Sequence, residues 1–212
     1  MSATRFTAHP AGSSDLDTVV RVSIMAFSDE AVIAWAIPNA VDRHAYMRDT
    51  FSSLLQSAVD AGAVILARDS GGTAVAASIW VPSRGSATAD ASARQTSDPR
   101  ATEAYPDDPI KRRLEHVEAA TRARTPPEEH MHLSAMATLP SSRGRGAGTV
   151  MVTAGLARAR AHGLPVYLEA STVANRRLYA RLGFHDLGDA IVLPDGGPAL
   201  QPMWLEHSAS RS

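Results

Sequence analysis

A glycine-rich loop between a strand pattern and a helix pattern constrains this 212-residue sequence more than any other feature. The loop reads Arg143-Gly144-Arg145-Gly146-Ala147-Gly148. Alternating apolar residues before it predict a strand over Met131–Thr138, and helical spacing after it predicts a helix from about Gly146 to Ala161. Backbone N–H groups at the start of such a helix are unpaired, and the helix dipole favours negative charge there. The sequence therefore predicts a phosphate-binding turn.

The composition of the loop supports this interpretation. Its three glycines remove side chains that would keep a pyrophosphate at a distance, and Arg143 and Arg145 add charge-assisted donors. The alternative is an ordinary glycine turn with solvated arginines. Two better-known phosphate loops fit less well. The Walker pattern needs Gly-Lys-Ser/Thr, and the loop has no lysine; the dinucleotide fingerprint needs Gly-x-Gly-x-x-Gly, a spacing that is absent although Glu169 lies near the expected acidic position.

The rest of the chain alternates between the two periodicities. After the loop helix, a strand over Pro165–Glu169, a helix over Val173–Leu182 and a closing hairpin of Ile191–Leu193 with Pro202–Glu206 are predicted. Before the loop we first predict a strand over Arg5–Ala8 and two helices, Ser14–Phe27, which Ser14 caps, and Asp42–Ala58. A hairpin of Ala63–Arg68 with Thr73–Val81, a loop over Pro82–Ala104 and a polar helix over Asp108–Arg124 follow.

Composition excludes several classes of function. With 21 basic and 22 acidic residues, the formal charge is −1, without the basic excess of a nucleic-acid-binding domain. There is no cysteine, which excludes thiolate metal sites and a cysteine nucleophile. No signal-like segment and no run of 18 apolar residues is present, so we expect a cytoplasmic protein without a membrane partner.

Two stretches resemble signatures of the GNAT superfamily of N-acetyltransferases. Residues 137–148 resemble its motif A, Gln/Arg-x-x-Gly-x-Gly/Ala, and Leu168-Glu169-Ala170-Ser171 with the run from Asn175 to Phe184 is similar to its second signature. More loosely, Tyr167–Phe184 and the closing Met203-Trp204 resemble the actinobacterial group around puromycin N-acetyltransferase. The resemblance implies an α+β GNAT fold. We therefore expect a mixed, mostly antiparallel central sheet of about six to seven strands flanked by helices, in a single domain over 1–212 with a variable insertion at about 82–129.

The resemblance also implies a reaction. The expected function is transfer of an acetyl group from acetyl-CoA, as co-substrate, to a primary amine of a small molecule by direct attack. No acyl-enzyme is needed, in agreement with the absence of cysteine, and no metal is expected, since the spacing His130-x-His132 is weak evidence by itself. Acetylation of a protein or peptide amine and a non-catalytic acyl-CoA sensor are the alternatives. Dimers are common in this family, so a homodimer is compatible with the resemblance.

The family's roles transfer to matching positions. Backbone groups of Met136 and Thr138 are expected to pair with the pantetheine arm, and Asn175 with the cofactor near its thioester or pantetheine end. Tyr179, four residues after Asn175 on the same helix face, is expected to be the general acid that protonates the CoA thiolate, unless it is only a core aromatic. The pyrophosphate is expected on Arg143, Gly144, Arg145, Gly146, Ala147, Gly148 and Thr149.

The general base has two principal candidates. Strand alternation places His132, Ser134 and Met136 on one face, and His132 occupies the position where histone-acetylating relatives carry a carboxylate base. Histidine titrates near neutrality and can serve in that role, or it can be structural. Glu169 is the second candidate, or else a hydrogen-bonded structural carboxylate, and His130 and Glu129 are neighbouring alternatives. The acceptor is expected to contact Phe27–Tyr46 and Pro82–Glu129.

Overall fold

A computed structural model describes residues 5–84 and 109–207 of the chain. Most of the predicted loop Pro82–Ala104 therefore lies outside the described residues; Pro82 and Ser83 belong to a strand.

The described residues form eight strands and six α-helices. The strands are β1 (Phe6–Pro10), β2 (Val64–Asp69), β3 (Ala74–Ser83), β4 (His130–Thr138), β5 (Val166–Ala170), β6 (His185–Asp186), β7 (Ile191–Val192) and β8 (Ala199–Leu205). The helices are α1 (Leu16–Phe27), α2 (Ala31–Ala36), α3 (Ala40–Asp60), α4 (Pro109–Arg122), α5 (Ala147–Ala161) and α6 (Val173–Arg181). Within these ranges no helix is both long and apolar enough to cross a membrane.

All strands belong to one mixed sheet in the order β1-β2-β3-β4-β5-β8-β6, with β7 paired to β8. Every neighbouring pair is antiparallel except β4 and β5, which run parallel. The α+β class and the mostly antiparallel sheet are thus confirmed. The expected six to seven strands become eight because β6, a two-residue strand too short for a periodic signal, had no sequence prediction. The short strand β7 was predicted, as Ile191–Leu193 of the closing hairpin.

The helices form layers on both faces of the sheet. Apolar residues of α1 and α3, such as Val19 and Leu55, pack on one face, and α5 covers the other. Trp80 of β3 is fully buried against α5, where a Cβ on Gly155 would lie 2.0 Å from its ring. Only glycine allows α5 to approach the sheet this closely.

The start of α1 differs from the prediction that Ser14 caps it. A 3-10 turn over Ser13–Asp15 precedes the helix, and no side chain caps it. Asp15 instead accepts the Gly12 N–H at 3.1 Å and an Arg68 hydrogen bond at 2.8 Å. Asp15, rather than Ser14, therefore makes the local capping contact, and the same carboxylate also binds Arg68 of β2.

A β-bulge interrupts β4 at Ser134. Ile79 pairs with Ala135 and Trp80 with Leu133, which leaves Ser134 as the extra residue. Because a bulge reverses the alternation of side chains beyond it, Leu133 and Met136 both pack in clusters on the α5 face. The prediction that His132, Ser134 and Met136 share a face is therefore wrong: His132 lies on the face opposite Met136.

Candidate active site

A cavity of about 670 Å³ opens where β4 and β5 separate. The two strands pair only at Met131 with Val166 and His132 with Tyr167, so the rest of β4 has no partner on its β5 side. The cavity walls include eight of the ten predicted cofactor-binding residues, namely Met136, Thr138, Arg143, Gly144, Gly146, Gly148, Thr149 and Asn175. Open strand edges expose N–H and C=O groups, which suit the amides of a pantetheine arm.

The start of α5 carries unpaired donors beside this cavity. Gly146 precedes the helix with φ +102°, and no side chain in ranges 5–84 and 109–207 caps it. The Val150 N–H is the first to bond back, to the Gly146 carbonyl at 3.1 Å. The N–H groups of residues 147–149 therefore have no backbone acceptor among the described residues. This arrangement fits a diphosphate, because anions bind to unpaired helix-start N–H groups.

Both loop arginines have hydrogen-bond partners within the protein. Both terminal nitrogens of Arg143 bond the Asp29 carboxylate, at 2.7 and 2.6 Å, and its Nε donates to the Thr138 carbonyl at 2.9 Å. This guanidinium holds the pKa of Asp29 below its usual range. Arg145 donates to the Ser141 carbonyl at 3.2 Å and, like the buried Ala147, does not contribute to the cavity wall. Arg143 as a phosphate ligand stays a prediction, and it already has a carboxylate partner.

The two candidate bases form one hydrogen-bonded pair. His132 Nε2 lies 3.0 Å from Glu169 Oε2, because the β4–β5 pairing places the two strand segments side by side. A carboxylate only accepts, so Nε2 carries the hydrogen when Glu169 is ionised, and Nδ1 then presents a lone pair. Nδ1 has no partner within the described part of the chain. The pair lies at the closed end of the split between the strands and does not line the cavity itself.

The two alternative candidates for the general base, His130 and Glu129, lie in different environments from the His132–Glu169 pair. His130 is fully buried, and its ring contacts Tyr167 and Trp204 edge-on. Its Nδ1 donates to the Glu128 carbonyl at 2.7 Å, and burial lowers its pKa, so the ring is held neutral. Glu129 is exposed. Neither residue contacts the cavity, so both fit structural or surface roles.

Tyr179 lies on the other face of the sheet from the His132–Glu169 pair. It is 4% exposed, its ring centroid is 5.8 Å from that of Phe184, and it belongs to the core cluster that Leu178 and Leu182 flank. Burial, and secondarily Glu30, raises the pKa of its phenol. The hydroxyl has no hydrogen-bond partner among the described residues and is not fully enclosed. Tyr179 is thus a core aromatic with an available hydroxyl.

Comparison with known proteins supports the resemblance. Residues 95–184 match the family model "Acetyltransferase (GNAT) family". A Corynebacterium glutamicum structure named histone acetyltransferase HPA2 and related acetyltransferase superposes with a TM-score of 0.65 at 26% identity, covering 99% of this chain and 100% of that one. The chain has the GNAT fold.

Two further structures with the GNAT fold are less similar in sequence. A Drosophila melanogaster polyamine N-acetyltransferase has a TM-score of 0.64 at 21% identity, covering 95% of this chain and 99% of that chain. A mosquito arylalkylamine N-acetyltransferase like 5b has a TM-score of 0.64 at 16% identity, with 94% and 98% covered. No curated protein sequence matches the chain. The looser resemblance to puromycin N-acetyltransferase is not confirmed by these matches.

Sequence reasoning singled out none of the four other charged residues of the cavity wall, although the range expected to contact the acceptor, Phe27–Tyr46, includes two of them. Asp29 and Glu30 come from the α1–α2 connection, and Arg177 and Arg181 from α6. Nothing local in the sequence places residues 29 and 30 near a loop more than a hundred positions later. The two arginines could have been predicted from the sequence, since they are four residues apart on the helix that carries the predicted cofactor residue Asn175.

Proposed function

We propose that the chain is an acetyl-CoA-dependent N-acetyltransferase that acetylates a primary amine of a small molecule by direct attack. The observation that carries the proposal is the split between β4 and β5. At the outer end of the split, the cavity meets the uncapped start of α5. At the closed end of the split lies the His132–Glu169 pair. This arrangement provides an anion-binding end and a proton-accepting end on one strand pair.

The anion-binding end gives each predicted contact a physical basis. The N–H groups of residues 147–149 would bind the diphosphate, and the free edge of β4 around Met136 would bind pantetheine amides. Asn175, which lines the same cavity, would bind near the thioester. Bound acetyl-CoA supplies an activated acetyl thioester and a thiolate leaving group.

Proton removal is assigned to His132. Its Nδ1 accepts a proton from the acceptor ammonium. The neutral amine then forms the new C–N bond as the C–S bond breaks, and the second proton that the nitrogen loses passes to the departing thiolate, which leaves as the CoA thiol. Glu169 fixes the tautomer through Nε2 and stabilises the imidazolium that results, as a carboxylate does beside a catalytic histidine. Either residue alone could be structural, but a hydrogen-bonded pair at the end of the split supports a shared catalytic role.

Tyr179 is assigned to the departing sulfur. Because burial raises the pKa of its phenol, the hydroxyl keeps its proton throughout the neutral range. A raised pKa also makes the phenol a weaker acid. Its main contribution is therefore a hydrogen bond to the sulfur as negative charge develops there.

The acceptor class is supported by the proteins that share the fold. Two of them are named as a polyamine and an arylalkylamine N-acetyltransferase. The Corynebacterium protein is named as a histone acetyltransferase, so a peptide amine is the second candidate. The α1–α2 connection, with Glu30 in the cavity wall, is the described part of the chain that we expect to meet the acceptor.

A panel of acceptors tests these proposals. Purified protein with acetyl-CoA is offered polyamines, arylalkylamines and a histone-tail peptide, and CoA release is measured for each. Turnover with at least one small amine is the expected result, and turnover with the peptide alone supports the second candidate. Acetyl-CoA binding without turnover on any amine would instead indicate a non-catalytic sensor.

A further inference from the structure

Two arginines of α6 line the cavity without a partner in the part of the chain that the structure describes. Arg177 and Arg181 are exposed side chains of the cavity wall. Neither makes an ion pair or hydrogen bond with any residue that the structure describes. Arg176, their neighbour on the helix, is instead held by the Asp186 carboxylate, which its Nε meets at 2.9 Å. The two cavity arginines therefore keep their full complement of donors for a ligand.

The other charges around the cavity are already committed. Arg143 is paired with Asp29 through two hydrogen bonds, and the Arg145 side chain lies outside the wall. Glu30 accepts two backbone N–H groups at the start of α2. The cationic charge still available in the wall is thus concentrated on Arg177 and Arg181.

The pair lies next to the start of α5. Leu178, between the two arginines in sequence, packs against Gly148, where an added Cβ would lie 3.1 Å from Leu178 Cδ2. Gly148 belongs to the first turn of α5, whose N–H groups provide the anion-binding end. The arginines consequently flank the predicted diphosphate position.

The spacing of the pair suits a terminal phosphate. Residues four apart on a helix are neighbours on its surface, so two guanidinium forks can reach one phosphate group. A phosphate monoester carries about −1.5 to −2 charges at neutral pH and three acceptor oxygens. Each phosphate of a diphosphate ester carries a single charge and has the α5 donors available. Coenzyme A contains one monoester, on the 3′ position of its ribose.

We propose that Arg177 and Arg181 form the subsite for the 3′-phosphate of coenzyme A and make the protein prefer the cofactor over its 3′-dephospho form. The proposal rests on the proposed function, because it assumes that coenzyme A binds in this cavity. The two side chains would supply the positive charge that binds this phosphate, because Arg143 is already paired with Asp29.

Calorimetry with CoA and 3′-dephospho-CoA tests the subsite. The native protein is expected to bind CoA roughly tenfold or more tightly than the dephospho form, because charge-assisted hydrogen bonds are lost with the phosphate. A double variant, Arg177→Gln with Arg181→Gln, is expected to bind both ligands with the affinity that the native protein shows for dephospho-CoA. Arg176→Gln is the matched control on the same helix and is expected to retain the preference.

Each other outcome overturns the proposal. If the double variant loses affinity for both ligands equally, the arginines serve the diphosphate instead. If the native protein shows no preference, or if the double variant keeps it, the 3′-phosphate binds elsewhere. If the native protein binds neither ligand, the proposed function itself fails, and this inference fails with it. Equal melting temperatures of the native and variant apoproteins verify that the exposed substitutions leave the fold intact.

Discussion

The two ends of the split between β4 and β5 are built from different parts of the chain. The anion-binding end consists of consecutive residues, the loop 143–149, and presents backbone donors. The proton-accepting end consists of the side chains His132 and Glu169, 37 residues apart, with Tyr179 on the opposite face of the sheet. Backbone donors are kept by every substitution except proline, so most variants can only obstruct or repel the ligand there. Catalytic side chains can be removed by a change of one or a few atoms, so the two ends should respond to different variants.

The largest effect is expected from Tyr179→Phe. Loss of the hydrogen bond that the hydroxyl would donate to the departing sulfur should lower turnover by ~10²–10³-fold, the usual cost of removing one donor to a developing negative charge. The affinity for acetyl-CoA should stay near that of the native protein, since one hydroxyl is lost and the ring still packs against Phe184. Single-turnover kinetics and calorimetry separate the two quantities. Turnover within about twofold of native would mean that Tyr179 is only a core residue.

A smaller and coupled effect is expected from the His132–Glu169 pair. His132→Ala should lower turnover by about 10²-fold, the lower end for a positioned base. Glu169→Gln should cost roughly 10-fold, because it removes the partner that orients the ring. In the double variant the loss should not exceed that of His132→Ala, since residues that act as a unit are non-additive.

Rate measurements on all four proteins form the double-mutant cycle. If the loss of turnover in the double variant equals the product of the two single losses, His132 and Glu169 act independently. A large loss from Glu169→Gln with none from His132→Ala would make Glu169 the base. If neither change matters, the amine arrives neutral and the protein acts mainly by positioning it.

The smallest effect is expected where the anion-binding loop meets the α1–α2 connection. Asp29→Asn breaks the ion pair with Arg143 and should lower the free energy of unfolding by up to ~1 kcal/mol at neutral pH, as for other exposed pairs. Arg143 lowers the pKa of Asp29 in the folded protein. The stabilisation is therefore full above the unfolded pKa of about 3.9 and is lost as pH falls through the folded pKa.

Thermal unfolding from pH 7 down to pH 3 measures this difference. The difference in melting temperature between the native protein and Asp29→Asn should become smaller in the acidic range. Asp49→Asn is the control, because Asp49 meets Arg48 at 3.7 Å with both side chains well exposed. If this difference in melting temperature does not change with pH, the destabilisation does not come from loss of the carboxylate charge.

The same difference between the two ends explains what the sequence could predict. The loop, α5 and the strand before it follow from local periodicity and glycine spacing, and eight of the ten predicted cofactor residues line the cavity. Contacts between distant segments had no local signal. The bulge at Ser134 reversed the predicted faces, the carboxylate of Asp29 engaged Arg143, and strand pairing joined His132 to Glu169. All three depend on which segments become neighbours in the folded sheet.

The central claim, that the phosphates of acetyl-CoA bind at the start of α5, has a direct test in two matched variants. Gly146 and Gly163 flank the two ends of α5, both with positive φ and with no atom within 4 Å of an added Cβ. Aspartate tolerates this backbone conformation better than most residues and adds a negative charge. Calorimetry should show that Gly146→Asp weakens acetyl-CoA binding by at least ~100-fold, as expected for a charge within a few ångströms of the diphosphate. Gly163→Asp should bind like the native protein. Binding by Gly146→Asp within about twofold of native would contradict the claim.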